Sequence, residues 1–129
     1  MNILIVDAAR NKFFLALIID KNIYTCSYEN SKSNFEKMII LIDDFLKFNK
    51  SSLSQINTIY VNRGPGSFAG IRNSLATIKA LFLTKKIDYY CFSFDDFKGL
   101  NDAAKYEDVP LLCKRFKIKK NLINPIYLS

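Results

Sequence analysis

The sequence contains no histidine. That absence removes the Ser-His and Cys-His nucleophile pairs, the H-E-x-x-H type of zinc site and the usual proton shuttle near neutral pH. Cysteine is scarce: Cys26, Cys91 and Cys113 are odd in number, far apart and free of any C-x-x-C pairing. They read as buried free thiols rather than as a disulfide framework. No apolar run approaches the roughly 20 residues that cross a bilayer, and the start, Met1-Asn2-Ile3-Leu4, has no basic n-region. A soluble, cytoplasmic chain with no membrane partner is the expectation. Acidic residues are missing from one stretch in particular. Residues 111–129 hold five of the 19 basic residues and none of the 12 acidic ones. All five, Lys114, Arg115, Lys117, Lys119 and Lys120, fall in one run suited to RNA phosphates, an acidic partner surface or membrane headgroups, the plain alternative being a solvated tail.

The chain of 129 residues is 50% hydrophobic and 14% aromatic with a net charge of +7, enough for one core and too apolar for a disordered basic segment. Asn2 to Asp7 and Phe13 to Ile19 are nearly unbroken apolar runs, as in strands covered on both faces. Asp20-Lys21-Asn22 reads as a tight turn. Ile23 to Glu29 alternates, with Tyr24, Cys26 and Tyr28 on one face, and completes a meander. Ser33 and Glu36 have capping-box spacing before a helical pattern that runs to about Lys50. Its apolar arc, from Leu41 and Phe48 round to Ile39, covers roughly half the wheel, wider than one sheet needs, and Ile40 sits amid Glu36, Asp43, Asp44 and Lys47. Thr58 to Val61 is a short buried strand. Ser67 is placed to cap a second helix to about Thr84, with an apolar stripe Ile71, Leu75, Ile78 and Phe82. Another face carries the small or slim residues Ala69, Gly70, Asn73, Ala76, Thr77 and Ala80, which permit close approach of a second helix. Ile87 to Phe92 predicts a fifth strand, and Ser93 with Asp96 caps a short helix near Phe94 to Leu100. The order β-β-β-α-β-α-β-α describes an α/β, ribonuclease H-like domain of the actin-like ATPase superfamily with a mixed five-stranded sheet over residues 1–100. Residues 101–129 are less regular and read as a basic C-terminal tail, packing as one more strand or lying over the core.

The most specific stretch is Asn62-Arg63-Gly64-Pro65-Gly66-Ser67-Phe68-Ala69-Gly70-Ile71-Arg72 and onward through Ala76 and Lys79. Gly64-Pro65-Gly66 is a turn that permits close backbone approach, and Ser67 with the next amides makes a helix N-terminus that favours an anion. The spacing is not that of a Walker phosphate loop. The plainer reading is a tight strand-to-helix turn in which Arg63 and Arg72 bond nearby carbonyls or acids.

This string resembles the R-G-P-G-S-F-T-G-x-R-x-x-x-A-x-x-K-x-L signature of the TsaB (YeaZ) family, matched at Arg63, Gly64, Pro65, Gly66, Ser67, Phe68, Gly70, Arg72, Ala76 and Lys79. Ile3 to Asp7 is similar to that family's opening strand, and Pro125-Ile126-Tyr127-Leu128 to its chain end. The resemblance covers about residues 1–100 and the last five, implying a shortened member in which residues 101–129 stand in place of the second domain. It implies a non-catalytic subunit in tRNA threonylcarbamoyladenosine synthesis that pairs with the catalytic subunit TsaD through its two long helices. The interface would use Met38, Ile40, Leu41, Ala69, Gly70, Asn73, Ala76, Thr77 and Ala80. It further implies no cofactor of the chain's own, with ATP or ADP and metal on the partner, tRNA met through the complex, and the ATPase subunit TsaE as a further candidate partner. Asp7-Ala8-Ala9 departs from the family's D-T-S and Asn34-Phe35-Glu36 from its H-S-E, and both departures speak against nucleotide binding by this chain alone.

Two other readings compete. A small RNA-binding homodimer would use the same helix face and the basic run. A two-metal nuclease would use Asp7, Glu36 and Asp95 or Asp96, but Val61 or Asn62 fills the fourth-strand position, leaving too little negative charge. Peptidase chemistry through metal-binding histidines is excluded by composition.

Overall fold

The computed structural model describes residues 1–100 and 104–127. Strands β1 (Asn2–Asp7), β2 (Lys12–Ile19) and β3 (Asn22–Glu29) form an antiparallel meander, and β4 (Thr58–Asn62) and β5 (Asp88–Phe92) extend it in parallel. The order is β3-β2-β1-β4-β5, with Leu4 opposite Leu17 on one side and Ile59 on the other. Two residues, Asp20 at φ 54° and Lys21, turn β2 into β3. The unbroken apolar runs of β1 and β2 are required because helices cover one sheet face and the C-terminal segment the other. Leu4, Val6, Leu15, Leu17, Ile59 and Val61 point to the helix layer, while Ile5, Ala16, Tyr60 and Phe92 point the opposite way.

The first helical region differs from the sequence expectation. Ser31, not Ser33, is the cap, its Oγ accepting from the Asn34 amide at 3.2 Å, because the Asn34 side chain is fastened to the Glu29 carbonyl at the end of β3 (2.8 Å). The result is two helices, α1 (Lys32–Glu36) and α2 (Met38–Phe48), broken at Lys37 with φ −101° and ψ 14°. The break lets α1 aim Phe35 at Gly70 while α2 lays Met38, Ile42, Phe45 and Leu46 on the sheet. Helix α3 (Phe68–Lys85) begins as its sequence indicates, with Ser67 Oγ accepting from the Gly70 amide at 3.2 Å, and it buries Ile71, Leu75 and Ile78. It ends on Lys86 in the left-handed region, φ 57°, whose amide returns to the Phe82 carbonyl.

The third helix shrinks to one 3-10 turn, Phe94–Asp96. Its capping box is present, Ser93 Oγ accepting from Asp95 and Asp96 accepting from the Ser93 amide. Phe94 and Phe97 both pack onto Phe92, and Gly99 at φ 83° turns the chain away, so the helix does not continue. Beyond it lies an element absent from the sequence reading, α4 (Val109–Arg115). Val109, Leu112 and Cys113 are buried against Ile5, Ala16, Tyr60 and Phe92, with Tyr106 stacked on Phe14 at 4.4 Å. Residues 104–116 are therefore the second layer of the same core rather than a solvated tail. Further on, the chain makes two single bridges, Lys120 with Tyr90 of β5 and Tyr127 with Gly66 in the loop after β4. Leu128, part of the chain-end resemblance, lies outside the described residues.

Candidate functional site

The signature loop is built to pack. Asn62, at the end of β4, accepts the Gly64 amide on its Oδ1 (2.9 Å), an Asx turn across the bend. Gly64 adopts φ 110°, ahead of a cis bond to Pro65. A Cβ on Gly64 would lie 2.1 Å from the Ile126 carbonyl oxygen, one on Gly66 2.0 Å from that of Ala9, and one on Gly70 1.8 Å from that of Ala8. The Ser67 amide donates to the Ala9 carbonyl at 2.9 Å. The glycines thus let the end of β1, the loop and the C-terminal segment close on one another through their backbones. The oxygens that crowd them are carbonyls, which repel an anion, so the loop does not fit a phosphate.

Arg63 locks this junction. Its guanidinium grips Asp96 with two contacts, Nη2 to Oδ1 at 2.6 Å and Nε to Oδ2 at 3.3 Å, while Nη1 donates to the Asn124 carbonyl at 3.0 Å. Its own carbonyl accepts from Ile126 at 2.7 Å. Arg72 and Phe68, by contrast, are exposed, Phe68 leaning on Tyr127 with ring centroids 4.7 Å apart. Asp7 is fully buried, and its carboxylate accepts from the Ala9 amide (3.1 Å), Asn62 Nδ2 (3.0 Å) and Tyr106 Oη (2.5 Å), with Arg10 Nε at 3.6 Å. Burial, reinforced by the adjacent Asp7, holds the Tyr106 phenol neutral far above its ordinary range. The Asp7–Tyr106 bond spans 99 positions and had no local sequence signal. Asn62 did have one, its Asx spacing to Gly64.

The carboxylates that a nuclease would need do not gather. Asp7 is sealed, Glu36 is exposed on α1, and Asp96 is held by Arg63. Among the described residues no three metal-ligating side chains come together. The two buried thiols are held protonated at neutral pH: burial pushes Cys91 up to about 11 and Cys113 up to about 12.

The helix layer is open where the sequence placed a partner. Two adjoining hollows share Phe35 and Glu36 between α1–α2 and α3. One is lined by Lys32, Ala69 and Asn73, the other by Met38, Ile39, Ala76, Thr77 and Ala80. On the same helices Ile40 is 57% exposed and Leu83 66%, and Leu41 is half-buried. Two of the expected interface residues offer almost no surface there, although Met38 lines the second hollow. Met38 is 1% exposed, because the break at Lys37 turns it onto the sheet. Gly70 is buried under the Ala8 carbonyl, so its missing side chain serves the fold rather than a partner. The basic run is anchored instead of trailing. Lys114 and Arg115 form the last turn of α4, where positive charge is favoured, and Lys120 lies 3.7 Å from Asp88.

Fold and site together define a single ribonuclease H-like unit of the actin-like class, with its signature loop spent on packing and one helix face left open. The sequence profile of the family described as TsaD, tRNA N6-adenosine threonylcarbamoyltransferase, matches residues 28–109, more than half of the chain. The Buchnera aphidicola (Schizaphis graminum) protein named tRNA threonylcarbamoyladenosine biosynthesis protein TsaB is 31% identical over 110 residues, covering 85% of this chain and 52% of the relative. The Escherichia coli protein of that name is 29% identical, covering 64% and 36%. YeaZ from Pseudomonas aeruginosa superposes with a TM-score of 0.65 at 20% identity, over 71% of this chain and 43% of that one, a likeness of fold. The chain belongs to the TsaB (YeaZ) family. It spans about half or less of the length of these relatives.

Proposed function

We propose that this chain is a non-catalytic subunit in tRNA threonylcarbamoyladenosine synthesis that supports TsaD by docking the α1–α2/α3 face against it. The observation that carries this reading is the open groove of Ala69, Asn73, Ala76, Thr77 and Ala80, lined also by exposed Ile39 with exposed Ile40 next to it in sequence, in a member of the TsaB family. Small side chains let a partner helix approach closely, and isoleucines at the rim supply apolar area that water would otherwise cover. The locked Asp7 and the backbone-filled glycine loop support a reading in which this chain makes no bond-making step. ATP or ADP and metal belong, on this reading, to TsaD, with TsaE as a further partner and tRNA reached through the complex.

The test is co-expression with the TsaD of the same genome and light scattering of the eluate, alongside Ala76→Arg. A one-to-one complex, lost in Ala76→Arg while the melting temperature of the isolated variant is unchanged, is expected. A wild-type chain that ignores TsaD and self-associates through the same face would overturn the reading in favour of a homodimer.

A further inference from the structure

The two edges of the sheet differ. The β5 edge is closed: Lys120 bridges Tyr90, the Asn121 amide donates to the Tyr89 carbonyl (2.8 Å), and the Tyr89 amide donates to Asn121 Oδ1 (2.9 Å). Among the described residues no segment lies along β3 in this way. It runs beside β2 through eight successive pairs without a bulge. From Asn22 to Tyr28 it carries neither a charge nor a proline. Bulges, charges and prolines are the usual devices that keep an exposed edge from pairing, and this edge has none of them. Ile23 is 38% and Tyr24 40% exposed, on opposite faces of the strand, so neither covering layer closes over this half of it. The turn fixes which backbone groups face outward. Asp20 and Lys21 form a two-residue connection, which makes Ile19 and Asn22 a hydrogen-bonded pair. Alternation then aims the N–H and C=O of Asn22, Tyr24, Cys26 and Tyr28 at β2, and those of Ile23, Thr25, Ser27 and Glu29 away from it. The Glu29 carbonyl already accepts from Asn34 Nδ2 at 2.8 Å. Ile23, Thr25 and Ser27 remain, spaced symmetrically about Thr25.

We propose that β3 pairs with β3 of a second copy of this chain, antiparallel about a two-fold axis at Thr25. Thr25 then faces Thr25 and Ile23 faces Ser27, so the N–H and C=O of these three residues in both copies are satisfied together by one another. The same register is complementary in charge. Lys21 of each copy falls opposite Glu29 of the other, and Glu29, which already accepts from Lys12 on β2 at 2.7 Å, comes to lie between two lysines. Sliding the register by two residues separates Lys21 from Glu29. It also sets Ile23 against Glu29, whose carbonyl is taken, or Ser27 against the turn. The edge is therefore complementary to itself more than to a strand of arbitrary sequence. One strand pair is small beside a standard interface, so the dimer depends on concentration. The helix groove is not used, so this pairing stands or falls independently of docking on TsaD.

The experiment uses the isolated full chain. Sedimentation velocity across about 5–500 µM is expected to show a reversible monomer–dimer equilibrium. Thr25→Lys sets two like charges face to face on the axis and raises the dissociation constant at least about tenfold. Thr25→Pro removes an outward N–H without touching a bond to β2 and has the same effect. Thermal melts establish that each variant is folded, and if Thr25→Pro is not, Thr25→Lys decides alone. Disulfide trapping reads the register. Tyr24→Cys faces Cys26 of the other copy in a closely spaced, non-hydrogen-bonded pair, and copper–phenanthroline oxidises the two thiols to an intermolecular disulfide. Ile23→Cys, on the other face and opposite Ser27, gives no cross-link. A chain that stays monomeric to about 500 µM overturns the proposal, as does a wild-type chain that cross-links as readily as Tyr24→Cys. A dimer kept in Thr25→Lys and lost in Ala76→Arg also overturns it, by placing association in the helix groove. Loss of TsaD binding in Thr25→Lys, with no self-association of the wild type, overturns it by giving the edge to TsaD.

Discussion

Replacing Tyr106 by Phe removes one hydroxyl and nothing else, and the structure assigns that hydroxyl a single partner, the buried carboxylate of Asp7 at 2.5 Å. Hydrogen bonds to charged groups contribute about 1.5–3 kcal/mol, and an acceptor left unsatisfied in a dry site costs its desolvation as well. Asp7 keeps the Ala9 amide, Asn62 Nδ2 and the Arg10 guanidinium nearby, so it is not orphaned. The loss should lie near the middle of that range, about 2 kcal/mol. For a domain of this size that corresponds to a melting-point drop of roughly 6–10 °C. The ring of Phe retains the stack on Phe14, so packing stays constant and Tyr106→Leu should cost about 1 kcal/mol more. Urea denaturation of Tyr106→Phe, Asp7→Asn and the double variant closes a cycle that isolates the contact. A coupling of more than about 1 kcal/mol is expected. A Tyr106→Phe loss below about 0.5 kcal/mol would mean that residues 104–116 do not seal the sheet, and the second core layer would have to be abandoned.

Three further outcomes follow from the same geometry. Gly70→Ala puts a methyl 1.8 Å from the Ala8 carbonyl and should cost more than about 3 kcal/mol in chemical denaturation, whereas Ala76→Arg on the neighbouring exposed face should shift stability by less than about 0.5 kcal/mol. Lys86→Gly relieves a left-handed residue at the end of α3 and should raise stability by up to about 1 kcal/mol. Stability should hold through neutral pH and decline above about pH 9. The unfolded thiols and phenols ionise from ordinary values of 9.0 and 10.0, while burial holds Cys91 to about 11 and Cys113 and Tyr60 to about 12 in the native state. The unfolded chain therefore loses protons first, and the decline should continue to about pH 12, read by urea midpoints in a pH series.

The strands and their order were legible because their apolar periodicity is local. Phe13 to Ile19 cannot be satisfied by one covered face, and Ser67 announces α3 three residues ahead of the amide it caps. The small-residue strip was legible for the same reason, as a periodicity of one helix. The split of the first helix was not, because the local signal, the capping-box spacing of Ser33 and Glu36, favours Ser33, and Ser31 is chosen instead by Asn34 reaching back to Glu29.

What the sequence determined alone is therefore what depends on neighbours along the chain: strands, caps, the turn after β4 and the family that its loop signature marks. What only the tertiary structure decided depends on residues distant in sequence. Tyr106 finds Asp7 across 99 positions, Gly70 is bare because Ala8 passes over it, and Met38 turns inward because Lys37 breaks the helix. The second sheet face needed a cover, and a seven-residue helix at Val109–Arg115 supplies it. A helix that short has no stability of its own, so burial against the sheet, rather than local propensity, is what forms it.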